Sequence, residues 1–192
     1  MIKATQKPHR ILSPRLVFCI GTTAEDGTQN IIPITNVTSV SVDPCQVLVA
    51  IYKEWQTCTN LQTAKGFTLS LASKDQLELV WRLGAKYSGY QSDQPKVEEF
   101  KANLDLEFSP YGPVLKDALG WIELEIISRP DSSEGDHLMV VGECKKAMVN
   151  PEHYDAEISP VGTPKPLMQW ERNNFSTAED IFGIEYFKDP GF

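Results

Sequence analysis

The chain has 192 residues, 41% hydrophobic and 23% charged, with a formal net charge of −8. That length and balance suit one domain with a buried core and argue against wholesale disorder. The acidic excess argues against a nucleic-acid partner, which needs a basic face toward the phosphates, but leaves room for one local cationic pocket.

Residues 1–14 are polar, carry Pro8 and Pro14, and read as an arm leading into the first strand. Arg15 to Thr23 is rich in β-branched and aromatic residues and predicts a strand. Glu25-Asp26-Gly27 supplies hairpin chemistry, with Gly27 free to take the positive φ that a tight turn demands. The second strand runs from about Gln29 to Val42, and Pro33, which removes a ladder donor, predicts a bulge, bend or free edge within it. Asp43-Pro44 turns the chain into Gln46–Lys53, a nearly continuous apolar run expected to be buried on both faces.

Thr57, with Asn60 and Leu61 after it, suits a helix N-cap and first turn. Gly66 to Ala72 alternates apolar and polar residues and predicts a half-buried strand. Ser73 and Gln76 form a capping box for a helix whose Leu77, Val80, Trp81 and Leu83 share a face, ending at Gly84. A polar loop over 85–95 leads to a short helix at Lys96 to Ala102, and residues 103–120 form an irregular connection. Trp121 to Ser128 and His137 to Val149 supply two further strands, with Gly142 marking a bend or close backbone approach. From Asn150 onward the prolines crowd together, which predicts an extended tail. Its Leu167, Met168, Trp170, Phe175, Phe182, Tyr186 and Phe187 must bury on the same domain or on a partner subunit. Six strands in hairpin-like order with two short helices predict a mostly β protein built as a closed antiparallel barrel.

Phosphate-loop, dinucleotide-fingerprint, zinc-protease and nucleophile-elbow motifs are missing, and no side chain stands out as catalytic. The four cysteines (Cys19, Cys45, Cys58, Cys144) and three histidines lack metal-ligand spacing, so no metal site is expected. Cys19 and Cys144 lie inside predicted strands and read as small buried hydrophobes, whereas Cys45 follows a turn and should be exposed. Asp136-His137 reads as a turn residue beside a half-buried ring. No apolar run reaches the roughly 20 residues that span a bilayer, and the first ten residues lack a signal-peptide core, so a cytoplasmic protein without membrane contact is expected.

What remains is the density of hydroxyl and amide groups between Asn30 and Asn60. Alternation puts Asn36, Thr38 and Val40 on one face of the strand and Thr35, Ser39 and Ser41 on the other. One reading is an anion site, where hydroxyls and backbone amides converge with Lys53 at the next strand's end and Thr57 at the helix start. The other is that Thr and Ser simply favour exposed strands. The pattern alone leaves both open.

In order along the chain come Leu16–Thr23, Asp26-Gly27, Asn30-Ile-Ile-Pro33, Thr38-Ser39-Val40-Ser41, Asp43-Pro44, Val47–Ile51 and Thr57-Cys-Thr-Asn60. Gly66-Phe67, Ser88-Gly89, Lys96 with Phe100, Gly135-Asp-His137 and Gly142-Glu143 follow. This series resembles the flavin reductase-like family with the FMN-binding split-barrel fold, the group that includes flavoredoxins. Two features depart from it: Pro44 is followed by Cys45 where the family commonly has a second proline, and the 84–94 loop is shifted. The resemblance implies a six-stranded antiparallel Greek-key split barrel over 1–150, with short flanking helices. The tail, 151–192, would pack on the barrel or on a dimer partner. It also implies FMN in a groove at a homodimer interface, serving an oxidoreductase of the flavin reductase, ferric reductase or flavoredoxin type. Asn36, Thr38, Ser39 and Val40 would contact the ribityl chain and isoalloxazine. Lys53, Thr57 and Asn60 would hold the phosphate region, and Ser88 with the tail around Trp170–Phe175 would cover the ring. The electron source would be a nicotinamide nucleotide or a protein donor. Cys45 and the altered loop motivate a second reading, a non-catalytic split-barrel dimer that binds a small ligand or a protein partner.

Overall fold

The computed structural model describes residues 7–84, 94–131 and 133–179. The early strands, in chain order, are β1 (Arg15–Leu16), β2 (Phe18–Thr23), β3 (Gln29–Ile34), β4 (Val37–Ser41), β5 (Gln46–Tyr52) and β6 (Gly66–Leu71). They are followed by β7 (Leu104–Asp105), β8 (Val114–Leu115), β9 (Gly120–Ser128), β10 (His137–Val149), β11 (Met168–Glu171) and β12 (Asn174–Ser176). The helices are α1 (Gln56–Thr63), α2 (Leu77–Leu83) and α3 (Lys96–Glu99).

One antiparallel sheet takes seven of the strands in the order β3-β2-β6-β9-β10-β5-β4. Its two edge strands, β3 and β4, are consecutive in the chain, with only Thr35 and Asn36 between them. A two-residue link cannot span an open seven-stranded sheet, so the sheet curls until its edges meet, as an antiparallel split barrel. The Ala50 N–H donates to the Asn36 carbonyl at 3.0 Å beside this seam. The mostly β, antiparallel architecture is therefore as expected, but the predicted strand Gln29–Val42 is two strands. The break falls just after Pro33, which sits on edge strand β3, where a missing ladder donor costs least.

The two faces of the sheet feed two apolar clusters. Ile20, Ile34, Val49, Ile51, Phe67, Leu69, Leu124 and Val140 fill the inside of the curl, joined by Cys58 and Leu61 of α1. Cys19 and Ile31, on the opposite faces of β2 and β3, pack outward against Val80 and Leu83 of α2, Val97 of α3, Phe100, Leu115 and Leu167. Strand periodicity thus sends Cys19 one way and its neighbour Ile20 the other.

Two burial expectations are exchanged. The apolar β5 alternates buried Val47, Val49 and Ile51 with half-buried Gln46, Leu48, Ala50 and Tyr52, because its outer face is not covered by a helix layer. The alternating β6 is instead buried over Gly66–Ser70. Its polar side chains serve the connection that crosses it: Thr68 Oγ1 donates to the Pro113 carbonyl at 2.8 Å, and the Leu115 N–H donates to Ser70 Oγ at 3.0 Å. Cys19 is buried and Cys45 exposed as expected, but Cys144 is only half-buried.

The Ser73–Gln76 capping box is present, opening a short 3-10 turn before α2, which ends against Gly84. Helix α1 starts one residue before Thr57: Trp55 is its N-cap and supplies no side-chain hydrogen bond. The stretch around Leu167 joins the barrel. Val17 N–H donates to the Leu167 carbonyl and Leu167 N–H to that of Ala72, both at 2.9 Å, and β11 pairs with β1 and β12. Phe175 then meets Trp81 of α2 edge-on, with ring centroids 6.0 Å apart. These two short strands were not read from the sequence, where the surrounding prolines mask them. No helix among the described residues is long and apolar enough to cross a membrane.

Gly142 sits where the β9–β10 register shifts, and a Cβ there would come 2.8 Å from Leu124 Cβ and 3.0 Å from Phe67 Cε1. Gly142→Val therefore overpacks the barrel interior and is expected to cost about 1–3 kcal/mol, read as a lower urea midpoint at unchanged slope. An unchanged midpoint would mean that Phe67 and Leu124 do not hold the interior as described.

Candidate functional site

At the barrel seam opens a groove of about 810 Å³. Its floor is the β3–β4 link, including Pro33, Thr35 and Asn36, with Ala50 and Tyr52 of β5 beside it. Trp55 and Trp81 form one wall, and the β11–β12 hairpin with β1 forms the other. A second cavity of about 260 Å³ adjoins it, sharing Pro33, Trp55 and Gly84.

The larger groove gathers cations in an acidic protein. Lys7, Arg10, Arg15 and Arg172 line it, against two carboxylates, Asp136 and Glu171. Arg10 pairs with Glu171. Arg15 Nη1 donates to Asn36 Oδ1, but Arg15 Nε is buried without a hydrogen-bond partner. A buried guanidinium N–H left unsatisfied is costly, and among the described residues this edge of Arg15 has no acceptor, so a ligand oxygen in the groove could satisfy it. At the end of the groove, His137 Nδ1 lies 2.5 Å from Asp136 Oδ1, and the imidazole meets the Tyr52 ring edge-on at 5.8 Å. The hydrogen bond to His137, and then the imidazole charge, hold the Asp136 carboxyl below its usual range.

The smaller cavity concentrates donors. Asn30 Nδ2 donates to Thr57 Oγ1 at 2.8 Å, leaving the threonine hydroxyl hydrogen for another acceptor. Lys96 reaches in from α3, its Nζ 3.4 Å from the Ile31 carbonyl. Burial pushes the Lys96 ammonium below its ordinary pKa, opposed by the charge interaction with the Cys19 sulfur. The same burial pushes the Cys19 thiol up to about 12, so it stays neutral. Helix α1 points its uncapped start at this cavity, with Gln56 and Thr57 in the lining. An ammonium, a hydroxyl, a carboxamide and a helix start face this recess, with the Glu54 carboxylate also in its lining, and together these donors could hold an oxyanion such as phosphate.

The residues singled out from the sequence are distributed unevenly over this geometry. Asn36 lines the groove and Thr57 lines the small cavity. Asn60 lies behind the site: its Nδ2 donates to Thr22 Oγ1 and its Oδ1 accepts from Gln56 Nε2, both at 3.0 Å, clamping α1 onto β2. Lys53 lines neither cavity; its Nζ donates to the Gly135 carbonyl and lies 3.5 Å from that of Ser133. The cation beside Thr57 is Lys96 instead. Thr38, Ser39 and Val40 are exposed on the outer edge strand β4, with Thr38 and Ser39 hydroxyls turned onto their own backbone. Ser88 lies outside the described residues. Of the tail, Trp170 and Phe175 line the groove. Sequence reasoning missed Asn30, Arg15 and Lys96 as site residues, although each sits in or next to the stretches that carried the resemblance. Among the described residues no cluster of three or more His, Cys, Asp or Glu could hold a metal ion.

Residues 12–178 match the family model described as flavin reductase like domain. Among solved structures, the FMN-binding protein from Thermus thermophilus with bound 1-cyclohex-2-enone superposes with a TM-score of 0.78 at 22% identity. That match covers 96% of this chain and 98% of that one. The flavoredoxin of Desulfovibrio vulgaris (Miyazaki F) gives 0.75 at 18% identity, covering 97% and 98%. An NADH:FAD oxidoreductase of Streptomyces globisporus gives 0.71 at 16% identity, covering 94% and 98%. The family model spans the small cavity, the β11–β12 hairpin and all of the groove lining except Lys7, His9 and Arg10, and the chain belongs to the flavin reductase like domain family.

Proposed function

We propose that this protein is an FMN-dependent oxidoreductase of the flavin reductase or flavoredoxin type, working as a homodimer. The observation that carries the reading is the donor-lined cavity of Lys96, Thr57 and Asn30 opening beside the large groove at the seam. FMN has that composition: one phosphate at the end of a polar chain attached to a broad, flat ring system. Lys96, Thr57, Asn30 and the start of α1 would hold the phosphate, and Asn36, Tyr52 and the groove's tryptophans would hold the ribityl chain and ring. The bound flavin would supply the electron chemistry, with the protein binding and orienting it. A neighbour of this fold is named an NADH:FAD oxidoreductase, and the small size of the second cavity, about 260 Å³, suits a single terminal phosphate.

The protein's own residues divide the remaining work. Arg15, with an unsatisfied Nε, and Arg172 offer a second anion a place in the groove, which suits the diphosphate of a nicotinamide nucleotide as electron donor. A protein donor would have to meet the same cationic opening. Asp136 orients His137 at the end of the groove. Thr38, Ser39 and Val40 on the open edge of β4, with Val40 49% and Val42 90% exposed, offer an edge that a second copy would cover. In that dimer they would border the flavin from the interface. A cytoplasmic setting suits the unpaired thiols.

Two measurements follow. Purified protein should take up FMN, shown by quenching of flavin fluorescence, and should oxidise NADH or NADPH when an acceptor is supplied. Lys96→Gln removes a charge-assisted contact and should weaken FMN binding by about tenfold or more, with Thr57→Ala losing several-fold. A folded dimer that neither takes up FMN nor oxidises either nucleotide would instead favour the non-catalytic, ligand-binding barrel.

The pH profile has a definite sign. The Lys96 pKa lies below the ordinary 10.5, so the empty pocket loses its positive charge before that pH is reached. FMN affinity should therefore be level at neutral pH and fall in the alkaline range below 10.5. In Lys96→Arg, whose guanidinium stays charged, the fall should be absent. A wild-type profile flat up to 10.5 would separate Lys96 from the phosphate.

A further inference from the structure

The turn between β4 and β5 brings a second chemistry together, away from the groove. Gln46 of β5 pairs with Glu143 of β10, so the next rung sets Cys45 directly opposite Cys144. The Cys144 N–H donates to the Cys45 carbonyl at 2.9 Å, extending the ladder by that rung. The two residues are therefore direct cross-strand neighbours on one face of the sheet. Hydrogen-bonded antiparallel partners have Cα atoms about 5.5 Å apart, within the range of roughly 4.4–6.8 Å that a disulfide spans. Cys45 is exposed and Cys144 half-buried, whereas Cys19 and Cys58 are 0% and 1% exposed and lie in separate apolar clusters.

We propose that Cys45 and Cys144 are a reversible dithiol–disulfide site, oxidised by thiol–disulfide exchange with a small disulfide such as glutathione disulfide. The Cys45 sulfur attacks one sulfur of the small disulfide, whose S–S bond breaks and releases one glutathione thiol. The Cys144 sulfur then displaces the second glutathione, and the Cys45–Cys144 bond forms. The two protein thiols are oxidised, the small disulfide is reduced, and the two thiol protons leave with the two glutathiones. The order follows from exposure: Cys45 meets solvent first. Burial, with the neighbouring Cys45 sulfur adding to it, pushes the Cys144 thiol up, so it acts second. The bridge would pin the β4–β5 turn to the middle of β10, closing a loop of about a hundred residues. This inference does not depend on the flavin reading.

The test exposes the full-length native protein to glutathione disulfide, blocks remaining thiols with iodoacetamide after unfolding, and maps the peptides by mass spectrometry. The expected product links the Cys45 and Cys144 peptides, two hydrogens lighter than the sum of their thiol forms, with Cys19 and Cys58 alkylated. Dithiothreitol should return all four to the alkylatable form. Cys144→Ser should stall as a mixed disulfide of Cys45 with glutathione. The proposal is overturned if the wild-type protein also stops at that mixed disulfide, or if Cys45 pairs only with Cys45 of a second molecule.

Discussion

Everything functional in this protein depends on a two-residue link. β3 and β4 stand at opposite edges of a seven-stranded sheet, and Thr35-Asn36 is all the chain between them. The curl that this enforces puts Ile20, Phe67, Leu69 and Leu124 inside, where burial of large apolar side chains stabilises the closed form. At the seam β3 and β4 are not paired with each other; Asn36 bonds to Ala50 of β5 through backbone and side chain and to Arg15 through its side chain. A place where two sheet edges meet without zipping fully is where a barrel can open a groove. The β11–β12 hairpin, anchored through Leu167 to Val17 and Ala72, supplies the far wall.

Electrostatics then decides what the groove can take. The chain carries a net charge of −8, and a pocket on such a surface would ordinarily repel an anion. Four basic side chains against two carboxylates reverse this locally, as does a lysine held in a small recess. Lys96 bears a desolvation penalty that depresses its pKa, and a bound oxyanion is the partner that would relieve it. Arg15 tells the same story from the groove side, with one N–H occupied by Asn36 and another buried and unmatched. Such unsatisfied groups are tolerated where a ligand completes them.

How legible was this in the sequence? Local chemistry was. The Asp26-Gly27 hairpin, with Gly27 at φ 84°, the Ser73–Gln76 box and the close packing of Gly142 each follow from one or two residues acting on their neighbours. Thr57 and Asn36, which line the two cavities, were singled out because they sit on short-range patterns. Lys53 and Lys96 show the limit. Lys53 follows an apolar strand and Lys96 a polar loop, yet α3 packs on β3 and delivers Lys96 to the cavity, whereas Lys53 turns to the Gly135 carbonyl. That choice is made by tertiary packing of Val97 and Phe100, which no local window contains. Asn60 is a related case, since an amide at a helix start reads the same whether it faces a ligand or clamps the helix to Thr22. The β11–β12 hairpin was hidden by the prolines around it, and β11's other partner, β1, lies some 150 residues away in the chain.

The central claim is that the small cavity is a phosphate site serving a flavin in the adjoining groove. It is tested most directly by comparing the affinity of the purified protein for FMN and for riboflavin, which differ only in the phosphate. If Lys96, Thr57 and the start of α1 hold that phosphate, FMN binds at least about tenfold more tightly than riboflavin. Equal affinities for the two would contradict the assignment of the cavity, and binding of neither would contradict the assignment of the groove.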